Sequence, residues 1–154
     1  MNLKLKTKNL QLGQSLFEVV LALGVITAIT VGIVSLTVNA IRNAAFSKNK
    51  TLAGRYAQEA TEWLRSERDN DFTVFETHAQ TPLWCFSGLN WNKVGACGEA
   101  DKISGIPLLR DVTFSTNLVS GKTVIEANVR VYWDDAQGLH EVRSATSFSD
   151  WRQR

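Results

Sequence analysis

The hydrophobic pattern opens with an uncharged run of 20 residues, Val19 to Val38. A helix rises about 1.5 Å per residue, so this run would span about 30 Å, the thickness of the hydrocarbon core of a bilayer. Gly24, Ala28 and Gly32 recur every four residues within the run. Such small-residue stripes let helices approach closely, although ordinary transmembrane composition also produces them. The run predicts one membrane-spanning helix.

The pattern then becomes that of a helix with one apolar face. Residues 40–68 contain no proline, and five apolar residues recur there at helical spacing: Leu52, Tyr56, Ala60, Trp63 and Leu64. Charged residues fall mostly on the opposite face: Glu59, Glu62, Arg65 and Arg68. The membrane helix is therefore predicted to continue as far as Asp69-Asn70-Asp71, with its apolar stripe covered by a domain.

The last third of the chain has a period of two. Residues 110–118, 123–133 and 139–148 alternate between apolar and polar side chains, and predicted turns separate them at Ser120-Gly121 and at Asp134 to Gly138. This pattern predicts an antiparallel meander with one buried face, which the helix stripe would cover. The alternation places on one side Val112, Phe114, Thr116 and Leu118 of the first strand, and Ile125, Ala127, Val129, Val131 and Trp133 of the second. The predicted fold class is α+β: a long N-terminal helix, transmembrane in its first half, packed on a small antiparallel sheet.

Residues 70–109 form a connector that is rich in glycine, proline and aromatic residues. Trp84 and Trp91 in this segment either pack over the sheet or form an exposed binding surface, and we favour packing. The chain has two cysteines, Cys85 and Cys97. An even number in an exported chain indicates a disulfide, whereas the alternative is two buried free thiols.

Composition and charge exclude several classes of protein. The formal net charge is +2, and without residues 1–13 the chain has 14 basic and 15 acidic residues. This near-neutral balance lacks the basic footprint of a nucleic-acid-binding protein. Five Trp and seven Phe in 154 residues argue against disorder.

Motifs for catalysis or metal binding are missing from the sequence. His78 and His140 are the only histidines, and neither has a second ligand at metal spacing. Asp134-Asp135 could bind calcium, but without further carboxylates at loop spacing a solvated turn is the better interpretation. No nucleophile elbow or phosphate-binding loop occurs. The sequence predicts neither an enzyme nor a cofactor.

The junction in front of the apolar run permits three interpretations. Lys4, Lys6 and Lys8 form a basic leader, followed by Gly13-Gln14-Ser15-Leu16-Phe17-Glu18. A cleaved signal peptide would be cut after Val38-Asn39-Ala40, but the run is too long for one. An uncleaved anchor fits the length and leaves the glycine unexplained. The third interpretation is cleavage between Gly13 and Gln14.

The stretch Gly-Gln-Ser-Leu-Phe-Glu-Val-Val-Leu-Ala-Leu resembles the type IV prepilin junction, in which glutamate is the fifth mature residue. The resemblance, over about residues 4–40, implies a prepilin peptidase that cuts after Gly13 and N-methylates Gln14. It also implies that Glu18 pairs with the terminal amine of a neighbouring subunit. Major pilins carry phenylalanine where Gln14 stands, which favours a minor component. Residues 57–69 are also similar to a stretch of PilV-type minor pilins.

The resemblance implies three segments: a leader (1–13), a transmembrane and polymerisation half of the helix (14–39), and an extracytoplasmic globular domain (40–154). The implied protein is a minor pilin or a type II secretion pseudopilin. It would cross the inner membrane once, in contact with lipid, before it enters a pilus or periplasmic pseudopilus. Its implied partners are the peptidase, other pilin subunits, and an assembly platform with its ATPase.

The sequence is compatible with several alternatives in function and membrane orientation. A membrane-anchored exported binding module that never polymerises has the same anchor and domain. Basic residues also follow the run, at Arg42, Lys48, Lys50 and Arg55, so the cytoplasmic location of the N-terminus rests on the leader. Adhesion, motility, DNA uptake and secretion are all compatible with the sequence.

Overall fold

The computed structural model describes residues 16–119 and 121–152, which adopt an α+β fold. The elements in chain order are two α-helices and four strands: α1 (Leu16–Asn70), α2 (Phe72–Ala79), β1 (Leu83–Cys85), β2 (Leu109–Val119), β3 (Lys122–Asp135) and β4 (Gly138–Ser149). Two short 3-10 helices, Glu99–Asp101 and Ile103–Gly105, lie between β1 and β2. The chain divides into two compact units, one ending at Ala44 and the other beginning at Ala45. The predicted fold class is confirmed.

The end of α1 falls where the sequence predicts it. The helix ends at Asn70, and Asp71 caps the next helix: its carboxylate accepts hydrogen bonds from Thr73 N at 2.9 Å and Val74 N at 3.1 Å. The loop-rich connector of residues 70–109 thus contains α2, and it also contains β1. The sequence pattern predicts neither element, because 8 and 3 residues are too few to show a clear period.

The strands form one antiparallel sheet in the order β1-β2-β3-β4. All three predicted strands are present. Gly121, with φ 78°, precedes β3, and this left-handed backbone suits glycine. The predicted turn from Asp134 to Gly138 is tighter than expected, since β3 extends to Asp135 and β4 begins at Gly138.

The core of the second unit lies between the sheet and the second half of α1. Five residues of α1 are buried: Ala53, Ala57, Ala60, Thr61 and Leu64. The predicted inner face of β3 is buried along its whole length: Ile125, Ala127, Val129, Val131 and Trp133. Full burial of a side chain such as Ile125 stabilises the fold by about 1.5–3 kcal/mol. The helix covers the sheet within this unit as predicted. Of the predicted stripe, Ala60 and Leu64 are buried, while Leu52, Tyr56 and Trp63 are only partly buried.

The inner face of β2 differs from the prediction. Val112 and Phe114 are buried, but Thr116 and Leu118, predicted on the same face, are exposed. Leu118 is 78% exposed, because the end of the β2–β3 hairpin extends past the core. Strand alternation gives the direction of each side chain and does not show where the covering layer ends.

Candidate functional site

The N-terminal part of α1 has an uncovered apolar surface. Every side chain from Leu16 to Val38 is exposed. Of the helices in the part of the chain that the structure describes, α1 is long and apolar enough to cross a membrane. An apolar surface of this extent indicates cover by lipid or by other protein.

Three of the four hydroxyl groups inside the apolar segment have partners within the helix itself. Three threonines donate to backbone carbonyls one turn earlier: Thr27 to Leu23 O at 3.0 Å, Thr30 to Ile26 O at 2.8 Å and Thr37 to Ile33 O at 2.9 Å. These bonds satisfy the hydroxyl donors without water. The segment is therefore compatible with a hydrocarbon environment.

Glu18 lies in the first turn of α1 and is exposed. No ion pair within residues 16–119 and 121–152 involves its carboxylate. The predicted cleavage residues, Gly13 and Gln14, lie outside the described residues. A carboxylate in hydrocarbon costs several kcal/mol, and an opposite charge lowers that cost. The geometry leaves Glu18 accessible to a cation from another molecule.

The small-residue stripe of the same helix is open. A Cβ atom placed on Gly24 or Gly32 would meet nothing within 4 Å. With Ala28 between them, these positions offer a strip on which a second helix can approach closely. Within residues 16–119 and 121–152, nothing packs against either glycine.

The connector of the second unit is held by the predicted disulfide. Cys85 and Cys97 are bonded, with Cα atoms 4.9 Å apart, so the predicted pairing is confirmed. Residues 93–95 lie along the outer edge of β1: Cys85 N donates to Lys93 O at 2.9 Å and Gly95 N donates to Leu83 O at 2.9 Å. The loop between the two cysteines therefore covers one edge of the sheet.

Trp84 and Trp91 belong to an aromatic cluster to which this loop contributes Phe86 and Trp91. The other members are Trp63, Phe75 and His78. Trp84 is 6% exposed, and its Nε1 donates to His78 O at 3.0 Å. Trp91 stacks on the His78 ring at 4.5 Å and donates from Nε1 to Glu67 on α1 at 2.8 Å. The packing interpretation of both tryptophans is confirmed.

A buried arginine that the sequence analysis missed joins three segments. Arg110 on β2 donates from Nε to Phe86 O at 3.0 Å, and from Nη1 to Tyr56 O at 3.1 Å and Glu59 Oε2 at 3.0 Å. Burial lowers the pKa of Arg110, while the Glu59 carboxylate opposes that shift. The sequence gives one indication of its burial. Arg110 lies two residues before Val112, so strand alternation places both side chains on the inner face of β2.

The next residue makes a second buried charge pair on the opposite face of the sheet. Asp111 is 1% exposed and accepts two bonds from Arg130 on β3, at 3.0 and 2.6 Å. This hydrogen bonding raises the pKa of Arg130, whose guanidinium also lies 4.4 Å from the Tyr132 ring centroid. Both pairs link elements of the domain, and Asp111 and Arg130 also line a surface cleft together with Asn128 and Arg143.

Of the remaining candidate residues, His140 and Asp135 contact each other, whereas His78 belongs to the aromatic cluster. His140 packs against the rings of Phe46 and Trp133, far along the chain from the stack of His78. The Asp135 carboxylate accepts from Gln137 N and contacts His140 Nε2, both at 2.9 Å. Within the described ranges, no group of three His, Cys, Asp or Glu side chains could hold a metal ion.

Comparison with known proteins returns no match: no protein-family model, curated protein or solved structure is similar to this chain.

Proposed function

We propose that the chain is a structural subunit, a minor pilin, of a type IV pilus or a related type II secretion filament. The observation that carries the proposal is Glu18, an exposed carboxylate at the start of an apolar helical segment that no other described residue covers. A carboxylate held in hydrocarbon at this position is stabilised when a cation meets it there. The Gly13-Gln14 junction in the sequence supplies such a cation after cleavage.

In this proposal a prepilin peptidase removes residues 1–13 and methylates the new amine of Gln14. The amine stays positively charged and pairs with Glu18 of a neighbouring subunit, which sets the axial register of the filament. The apolar segment first anchors the subunit in the inner membrane. It then packs against neighbouring subunits in the filament core, with Gly24, Ala28 and Gly32 allowing close helix contact.

The second unit is the part that such a filament would display outside the cytoplasm. It has its own hydrophobic core, and its disulfide suits an oxidising compartment. An assembly platform and ATPase are the implied inner-membrane partners. The proposal assigns no chemistry to the chain, which acts as a substrate of the peptidase and as a building block.

The test is a pair of charge substitutions in cells that assemble the filament. Glu18→Val is expected to leave the subunit in the membrane fraction and to remove it from sheared filaments. Glu99→Val, which changes an exposed carboxylate of the globular unit, serves as the matched control and is expected to be incorporated normally. Normal incorporation of Glu18→Val would refute the register role. A wild-type chain that never enters filaments would favour the non-polymerising membrane-anchored module.

A further inference from the structure

The two edge strands of the sheet differ in whether another described segment covers them. The edge at β1 is covered by residues 93–95, which the Cys85–Cys97 disulfide holds in place. The edge at β4 is open: all 12 residues pair with β3, and no other segment described by the structure pairs with β4. An open edge strand presents a row of unpaired backbone donors and acceptors to any strand that can align with it.

Strand β4 lacks most devices that proteins use to block strand addition. It contains no proline and no lysine, and its register with β3 runs without a bulge from Gly138 to Ser149. Its only charged residues are Glu141 and Arg143, two positions apart on the outer face, where Arg143 Nε donates to Glu141 Oε1 at 2.7 Å. One acidic and one basic residue on a single edge make that edge complementary to itself.

We propose that β4 pairs antiparallel with β4 of a second copy of this chain, in the register that places Glu141 opposite Arg143 of the second copy. That register is centred on Val142, and by symmetry it forms the charge pair twice. A register centred on Glu141 or on Arg143 would oppose two like charges, which is destabilising. The centred register also places Leu139, which is 63% exposed, opposite Ala145 of the second copy.

The other unpaired stretch does not support the same inference. Residues 115–119 of β2 extend past β1, which pairs only with residues 111–113. They form a short hairpin end without a charged side chain, so nothing selects one register over its neighbours.

Pairing of this kind needs neither cleavage of the leader nor a filament, and it therefore goes beyond the proposed function. The contact covers residues 138–146 of each copy, which is small for a stable interface in dilute solution. Two chains anchored in one membrane have a raised effective concentration, which favours weak pairing. The test therefore uses the full chain in membranes.

The first experiment introduces one cysteine and measures disulfide-linked dimers after mild oxidation. In the proposed register Val142 of the two copies lie opposite each other, with Cα atoms about 4.5–5.5 Å apart, within disulfide range. Val142→Cys is expected to form at least ten-fold more dimer than Ala145→Cys, the matched control on the same strand. The two copies of residue 145 would lie about 20 Å apart.

A second experiment uses exposed positions, so that it does not depend on the partly buried Val142. Co-expressed Leu139→Cys and Ala145→Cys copies are expected to form a mixed dimer, at least ten-fold above the dimer that either variant forms alone. Adding Glu141→Arg to both copies should reduce this dimer about ten-fold, and adding Arg143→Glu as well should restore it.

Three results would overturn the proposal. The first is equal cross-linking at all positions, and the second is no cross-linking either between two Val142→Cys copies or between Leu139→Cys and Ala145→Cys. The third is failure of the charge swap to restore the dimer. The measurement is made in cells without the assembly ATPase. A negative result there leaves the Glu18→Val experiment unaffected, and failure of Glu18→Val leaves β4 pairing unaffected, so the two proposals fail separately.

Discussion

The guanidinium of Arg110 on β2 donates to the carboxylate of Glu59 on α1 at 3.0 Å, and the arginine side chain is only 2% exposed while that of the glutamate is 50% exposed. The same guanidinium bonds to backbone carbonyls of Tyr56 on α1 and Phe86 in the connector. One side chain therefore ties the helix, the connector and the sheet of the second unit together.

Replacing this arginine is expected to destabilise the domain. Arg110→Met keeps the volume but removes every donor, leaving the buried Phe86 carbonyl without its side-chain partner, so the free energy of unfolding should fall by about 2–4 kcal/mol. Glu59→Gln is the matched change on the half-exposed partner and should cost less than about 1 kcal/mol. Urea unfolding of the detergent-solubilised chain measures both. Equal losses would contradict the account.

Trp91 is predicted to be a structural residue. It contacts the rings of His78, Trp84, Phe86 and Trp63 in the aromatic cluster. Trp91→Ala should lower the free energy of unfolding by about 3 kcal/mol because it leaves a cavity. Trp151, which is 63% exposed, provides the control. Trp151→Ala should change stability by less than about 0.5 kcal/mol in the same urea titration.

Loss of the disulfide should loosen the covered edge of the sheet. The Cys85→Ser and Cys97→Ser double variant opens a loop whose ends are 12 residues apart, and a loop of this size contributes about 3 kcal/mol in the chain-entropy model. The expected result is a lower urea midpoint with faster hydrogen exchange at residues 93–95. Unchanged exchange there would show that the backbone bonds to β1 hold without the disulfide.

The ion pair between Asp101 and Lys93 predicts a defined pH dependence. Hydrogen bonds from Lys93 and from Gly98 N lower the pKa of Asp101 below its ordinary value of 3.8. A lowered folded-state pKa means that the stabilisation is present above the ordinary value and is lost as the pH falls through the lowered one.

Asp101→Asn should therefore melt at a lower temperature than the wild type between pH 5 and pH 7, with the difference shrinking toward zero in strong acid. Thermal unfolding followed by circular dichroism, from pH 7 down into strong acid, measures this difference in melting temperature. Lys93→Met should show the same convergence. A melting difference that is constant with pH would rule out the ionised carboxylate as its source.

Periodicity explains which parts of the fold were predictable. The alternation of β3 predicted its buried face because each inward residue, from Ile125 to Trp133, is apolar. The helix stripe was predictable only in part, because the small or polar residues Ala53, Ala57 and Thr61 are buried beside the predicted Ala60 and Leu64. Short elements such as α2 and β1 form because the Asp71 cap and the neighbouring strand β2 stabilise them, and neither interaction leaves a period in the sequence.

The candidate site was predictable only where its residues lie close together in the sequence. The junction at Gly13-Gln14 and the position of Glu18 are local patterns that a sequence displays directly. Arg110 and Asp111 pair with residues 51 and 19 positions away, so their partners become visible only in the folded chain. The open edge of β4 likewise depends on which strand lies last in the sheet.

The most direct measurement is the mass of the N-terminal peptide of the protein isolated from cells with an active prepilin peptidase. The account predicts that the chain begins at N-methylated Gln14, which places a positive charge where Glu18 of a neighbour can meet it. A chain that still carries residues 1–13, or that begins at Ile41, would contradict it.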